Sequence, residues 1–347
     1  MHYFSVINAA LSNENDRPMM QKELYPVRAA LQEYLKTFSR DIPLPVRYTE
    51  LMHYRYTNAL KNEKGRHTHW ERVIYPDEML EDLHQRMCIC WELLHPVAAD
   101  NLKVDRVLHI DFCEFANSMP FRVIVALEDG TQDYFYIKAA DASRVYGLEL
   151  EDLLTDNRQN YFCHDQTLIE DHIIGVPGDD FIKQHPSLNE GQIQQLAKAF
   201  VQFGERCFMR LLGDMRSYNF VVIELDGAYQ LRPIDFDQQC YEGRLKLYLP
   251  QFYKENLDWL GFVKQYWLPE QVTQIQLGEK ERMQVLYQSK KAQIHDLLNI
   301  LSGDTISENY KFLQLRADLN EWHQGQQFAG CTAMGGLVKQ QLITCLT

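Results

Sequence analysis

The sequence predicts an α+β fold, because helix-period and strand-period patterns occupy separate stretches of the chain instead of alternating. Apolar residues recur at helical spacing before about residue 104 and again beyond about 250, whereas short β-like runs cluster from 104 to about 173. One long apolar stripe, from Ile193 to Leu211, then separates that cluster from a second pair of short strands.

Taken in order, Leu24, Val27, Leu31, Tyr34 and Leu35 fall on one helical face, and Met79, Leu83, Met87 and Trp91 on another. The polar stretch Lys61 to His69, which holds Gly65, reads as an exposed loop between them. Residues 1–103 are therefore expected to be a helical N-terminal extension. Three strands follow, Val107 to Phe112, Phe121 to Leu127 and Tyr134 to Ala139, and the Asp129-Gly130 pair suits a tight hairpin. A helix over Ser143 to Leu154 and a strand over Thr167 to Ile173 complete this stretch. The long helix is capped by Ser187 or Asn189 and stops at Gly213. Asn219 to Glu224 and Tyr229 to Ile234 are strands around the turn Leu225-Asp226-Gly227. Helical patterns resume beyond about 250, with Leu257, Leu260, Phe262 and Val263 expected to be buried.

Composition excludes several functions. A formal charge of -13 argues against a sequence-independent DNA or RNA binder, which needs Lys and Arg to neutralise phosphates. The longest apolar runs, such as Phe220 to Ile223, fall far short of the roughly 20 residues that cross a bilayer. Met1 to Arg17 has no basic segment followed by an apolar one, so a cytoplasmic location is the default expectation. Eight cysteines spread over 347 residues read as mostly buried thiols. Cys88 and Cys90, with His84 and His95 nearby, have zinc-ligand chemistry, but alternate residues on a helix face different directions and no second cysteine pair lies at ligand spacing. His67 and His69 read as solvent-exposed, and Asp179 and Asp180 as caps of the following turn.

Chemistry concentrates after the long helix. There stands Leu212-Gly213-Asp214-Met215-Arg216-Ser217-Tyr218-Asn219, followed by apolar Phe220-Val221-Val222, and sixteen residues after Asn219 comes Asp235 in Ile234-Asp235-Phe236-Asp237. An Asp-x-x-x-x-Asn between a helix and a strand, then a hairpin, then Asp-Phe-Asp, resembles the catalytic loop and metal-binding segment of the protein-kinase-like superfamily, which includes aminoglycoside and choline kinases. The resemblance implies that Asp214 orients the attacking hydroxyl and receives its proton, that Asn219 and Asp235 hold Mg2+ on the phosphates of ATP, and that Arg216 contacts the transferred phosphate. Upstream, Tyr134-Phe135-Tyr136-Ile137-Lys138-Ala139 resembles the third strand of a kinase small lobe, which assigns Lys138 to the α- and β-phosphates and Glu149 or Glu151 as its ion-pair partner. Leu168 to Gly175 is similar to the strand and hinge that grip adenine, placing Asp171, His172 and Ile173 there.

The resemblance spans about 104 to 250 and implies a two-lobed fold, with a small lobe over 104–174 and a mainly helical large lobe over 175–347. The chain departs from the family pattern in three places. Phe115-Ala116-Asn117-Ser118-Met119-Pro120 holds no glycine where glycine backbone normally approaches the phosphates. Leu212 replaces the usual His two positions before the base, and no Ala-Pro-Glu closes an activation segment. Two functions from different classes are therefore carried. The first is a phosphotransferase moving the γ-phosphoryl group of ATP to a hydroxyl on a small molecule or protein; the second is a pseudokinase or scaffold that binds a partner protein without turnover. Transfer of a nucleotidyl group is a third outcome, separable by the mass added to the product.

Overall fold

A computed structural model describes residues 22–62, 64–96, 102–184 and 188–346. These divide into a sheet unit, residues 22–145 with 159–172, and a helical unit, residues 146–158 with 173–346.

The sheet unit holds helices α1 (Ala29–Thr37), α2 (Tyr48–Leu51) and α3 (Asp77–Leu94) and strands β1 (Tyr56–Lys61), β2 (His67–Ile74), β3 (Val104–Phe112), β4 (Phe121–Leu127), β5 (Gln132–Ala139), β6 (Tyr161–His164) and β7 (Thr167–Asp171). The strands form one antiparallel sheet in the order β1-β2-β3-β4-β5-β7-β6. Side chains alternate between faces, so Phe121, Val123 and Val125 of β4 and Phe135 and Ile137 of β5 point into the core, where Leu83, Met87 and Trp91 of α3 meet them. Burying each such side chain contributes about 1.5–3 kcal/mol. The indole N–H of Trp91 donates to Asp133 Oδ2 at 2.8 Å, which keeps a buried polar group satisfied. The other face carries Arg122, Tyr134, Tyr136 and Lys138.

Of the stretch expected as an exposed loop, residues 62 and 64–66 are an exposed turn, but Lys61 ends β1 and His67 to His69 begin β2, so the N-terminal region expected to be helical contributes two strands to the sheet. The pattern is hard to read because β1 is an edge strand and β2 has only Val73 buried, so apolar residues do not alternate. Among the described residues the first helix begins at Ala29, after an extended Arg28.

In the helical unit, helix α4 (Ala142–Leu154), which starts in the sheet unit, is followed by β8 (Val176–Pro177), α5 (Gly178–Gln184), α6 (Glu190–Arg210), β9 (Phe220–Leu225) and β10 (Ala228–Pro233). Short 3-10 turns from Leu245 to Asn256 lead into α7 (Leu257–Tyr266), and four more helices follow. Asn189 caps α6: its side chain accepts from Gln192 N at 3.0 Å, and the Gln192 side chain accepts from Asn189 N at 3.0 Å. Ser187, the alternative cap, lies outside the described residues. Phe200 and Phe203 of α6 pack with Phe220 and Trp259, ring centroids 4.9 to 6.4 Å apart. Gly178 sits against this cluster; a Cβ there would lie 2.4 Å from the Phe220 ring. Leu260 and Val263 are buried as expected, but Leu257 is 46% exposed because it begins α7. Among the described residues no helix is long and apolar enough to cross a membrane.

Candidate active site

The loop that follows α6 is set by how that helix ends. Leu211 turns left-handed at φ 57, two residues before the expected stop at Gly213, and buried Leu212 bridges to Gln239. Gln239 Nε2 donates to Arg210 O at 2.5 Å and Leu211 O at 3.3 Å, and Gly213 N donates to Gln238 O at 3.2 Å. The segment after Asp235 thus braces the loop, and an amide makes main-chain hydrogen bonds in a region where the family pattern expects a histidine. Deeper, Glu151 of α4 forms a buried ion pair with Arg210 and accepts from Asn157 Nδ2 at 2.6 Å. Of the two candidate partners for Lys138, Glu151 is therefore committed to bracing α6, while Glu149 is 2% exposed on the same helix.

Asp214 is itself left-handed, at φ 56, a conformation Asp tolerates better than most residues. Its N–H donates to the Tyr253 hydroxyl at 3.0 Å and to Leu247 O at 3.2 Å. The carboxylate is held on both oxygens: Arg216 Nε donates to Oδ1 at 2.7 Å and Asn219 Nδ2 donates to Oδ2 at 3.2 Å. Arg216 is fixed in turn by Glu255 Oε1 at 2.8 Å and lies over the Tyr253 ring at 4.9 Å. Burial raises the Asp214 carboxyl above the ordinary aspartate value, with Arg216 pulling it back. Burial works against the Arg216 charge too, yet Asp214 and Glu255 leave its guanidinium more firmly protonated than usual.

Strand register brings Asn219 and Asp235 to the same end of one hairpin. The β9–β10 hairpin pairs Phe220 with Pro233, and Ile234 N donates to Asn219 O at 3.0 Å, so Asn219 and Asp235 lie at one end of the ladder. The hairpin closes through Asp226 (φ 51) and Gly227 (φ 77), both left-handed, the two-residue turn whose twist matches the strands. Asn219 Nδ2 also donates to Asp214 O at 2.8 Å, which leaves its Oδ1 as the acceptor. An amide oxygen beside a carboxylate is a donor set that suits a hard cation such as Mg2+.

In the sheet unit, Lys138 of β5 is 7% exposed and ion-pairs with Glu170 of β7. Arg144 grips the same carboxylate, Nε to Oε2 at 2.9 Å and Nη2 to Oε1 at 2.6 Å. Burial opposes the Glu170 charge, but Arg144 and Lys138 hold its carboxyl below the usual glutamate range. Neither Glu170 nor Arg144 was expected in this role; the signal lies in the pairing of Tyr136 with Glu170 across β5 and β7, which sequence does not disclose.

At the expected hinge, Asp171 N donates to Asn160 O at 2.9 Å, Asp171 O accepts from Gln159 Nε2 at 2.6 Å, and Asp171 Oδ1 lies 3.0 Å from His95 Nε2. His172 packs on Tyr134 at 4.0 Å between ring centroids, and burial lowers its affinity for a proton. Ile173, 7% exposed, opens the second stretch of the helical unit. The structure thus gathers Asp214, Arg216, Asn219 and Asp235 in the helical unit, where Glu149 and Ile173 also lie, and places Lys138, Asp171 and His172 in the sheet unit.

No known protein family matches the sequence, and no curated protein matches it. Among solved structures the chain is similar to the open conformation of CtTel1, at 11% identity and a TM-score of 0.41 over 91% of this chain and 14% of that one. It is also similar to the FAT and kinase domain of CtTel1, at 12% identity and a TM-score of 0.38 over 99% and 28% of the two chains, and to the complete CtTel1 dimer with C2 symmetry, at 12% and 0.39 over 99% and 15%. The chain spans between 14% and 28% of the length of these chains. Likenesses this loose leave the reading of the site to the chain's own residues. Those residues define a mixed α+β protein with a carboxylate–guanidinium–amide cluster at the end of its long helix.

Proposed function

We propose that this chain is an ATP- and Mg2+-dependent phosphotransferase of protein-kinase-like fold, with the sheet unit as small lobe and the helical unit as large lobe, acting on a hydroxyl of a small molecule or protein in the cytoplasm. The observation that carries this reading is the Asp214 carboxylate, fixed on one oxygen by Arg216 and on the other by Asn219, which lies with Asp235 at the same end of the β9–β10 ladder.

Asp214 orients the acceptor hydroxyl and takes its proton as the hydroxyl oxygen bonds to the γ-phosphorus and the bridging oxygen leaves with ADP. Arg216 keeps the carboxylate aimed. Asn219 and Asp235 would hold Mg2+, which neutralises phosphate oxygens when bound. Lys138, Glu149, Asp171, His172 and Ile173 are assigned to the nucleotide by the same reading.

Calorimetric titration with ATP, with and without Mg2+, on the wild type and Asp235→Ala tests it. Magnesium-dependent binding that weakens in the variant is the expected result, and absence of binding to the wild type sinks the reading. The loop between β3 and β4 favours the scaffold reading, because it has no glycine and is tied down by side chains: Tyr48 Oη donates to Met119 O at 2.9 Å, and Asn117 Oδ1 accepts from Lys22 N at 3.1 Å. Magnesium-dependent binding with no turnover over a broad screen of acceptors would select that alternative.

A further inference from the structure

The loop between β3 and β4 is where the kinase-like reading, on which this inference rests, looks for phosphate contacts through glycine N–H groups. Here Met119 adopts φ 41 and Cys113 N donates to Pro120 O at 3.0 Å, so the loop closes on itself with side chains throughout. Its base is charged instead. Asp111, the next-to-last residue of β3, pairs across the ladder with Arg122 of β4, and on its other side with Arg72 of β2. Arg122 pairs in turn with Tyr136 of β5, and Lys138 follows two residues along the same face. One row therefore runs Arg72, Asp111, Arg122, Tyr136 and Glu170 across five strands, and the Glu170 carboxylate is taken by Lys138 and Arg144.

Asp111 is 1% exposed and spends both oxygens on this row, accepting from Arg72 Nε at 2.6 Å and Arg122 Nη2 at 2.8 Å. A single carboxylate needs one guanidinium for neutrality; the second leaves a half-buried surplus of positive charge in a chain whose net charge is -13. The Arg72 and Arg122 side chains keep 27% and 28% of their surface exposed. The Arg122 guanidinium lies over the Trp70 ring, 4.5 Å from its centroid, and Arg122 Nε is buried with no hydrogen-bond acceptor among the described residues. A planar guanidinium presents its outer donors as a fork that matches the oxygens of a phosphate group.

We propose that Arg72 and Arg122 form an oligophosphate-binding pair on the polar face of the sheet, replacing with side-chain cations the glycine backbone that the β3–β4 loop lacks. Asp111 is the positioning residue of the pair.

The test is calorimetric titration of the full chain with inorganic tripolyphosphate and, separately, with Mg2+-ATP. Arg122→Gln should weaken tripolyphosphate binding roughly tenfold to a hundredfold, the loss expected for a charged hydrogen-bonding group. Arg122→Lys, which keeps the charge and the fold but loses the planar fork, should fall between the two. No tripolyphosphate binding by the wild type, or unaltered binding by both variants, overturns the proposal. Mg2+-ATP binding that persists in Arg122→Gln overturns the pair and leaves the phosphotransferase reading standing. Tripolyphosphate binding that depends on Arg122 in a protein that does not bind Mg2+-ATP supports the pair and sinks that reading.

Discussion

Glu170 and Asp214 are both carboxylates shielded from water and both gripped by an arginine, yet their surroundings push them in opposite directions. Glu170 faces two cations, Lys138 and Arg144, and titrates below the ordinary glutamate range. Asp214 faces one cation and one amide, and burial carries its carboxyl above the ordinary aspartate value. The second cation makes the difference. It keeps a buried carboxylate ionised to lower pH, whereas Asp214, with one cation and with Glu255 nearby, holds its proton more readily than an ordinary aspartate.

The largest effect that would break this comparison is Glu170→Ala. It removes the carboxylate that Lys138 and Arg144 share and should cost about 3–5 kcal/mol of stability in urea unfolding. The pH dependence has a definite sign. Because the folded carboxyl is lowered, its contribution is present above the ordinary value of 4.5 and is lost as pH falls through the folded value, so Glu170→Gln should show a shallower loss of stability in acid than the wild type. Asp214 runs the other way: its raised carboxyl costs stability as pH rises through the folded value, and that cost remains in place at neutral pH.

Asp214→Asn should therefore change stability by no more than about 1 kcal/mol while lowering turnover by roughly a hundredfold or more, the share general base catalysis supplies. Turnover that persists in a folded Asp214→Asn protein would remove it from the base role. Arg216→Gln sharpens the contrast with a smaller effect. Without the guanidinium the Asp214 carboxyl rises further, so the acid limb of the kcat/KM profile should move to higher pH; a profile that stays in place means that Arg216 does not tune the base. Tyr253→Phe is the mildest test. It removes the hydroxyl that accepts from Asp214 N and donates to Leu247 O at 2.7 Å, and should cost about 1 kcal/mol with only a few-fold change in turnover.

Where a structural signal is local, it is readable in the residues. Phe121 to Leu127 was expected as a strand and is β4 to the residue, the amphipathic run after Asn189 is α6, and the Asp226-Gly227 turn joins two short strands. Where the signal is distributed it is not. β1 and β2 carry too few buried apolar residues to alternate, and β6 alternates over only four residues, so their identity comes from the strands they pair with. The same holds for the site. Asp214, Asn219 and Asp235 stand out by type and spacing, but Glu170, Arg144 and Gln239 reach their partners across ladders and loops that sequence separation conceals. Lys138 illustrates both halves: it was singled out from its strand, while its ion pair with Glu170 follows only from the β5–β7 register.

The β9–β10 hairpin has a consequence for chain length. Asn219 and Asp235 are neighbours because Phe220 pairs with Pro233, and every further pair up to Leu225 and Ala228 serves only to reach the turn. Lengthening or shortening both arms together would move the tip and leave the two donor residues where they are. Removing one residue from a single arm would slide one strand past the other and rotate its side chains to the opposite face. The offset of sixteen residues from Asn219 to Asp235 is thus one member of an even-numbered series, and insertions that respect that parity belong at the tip.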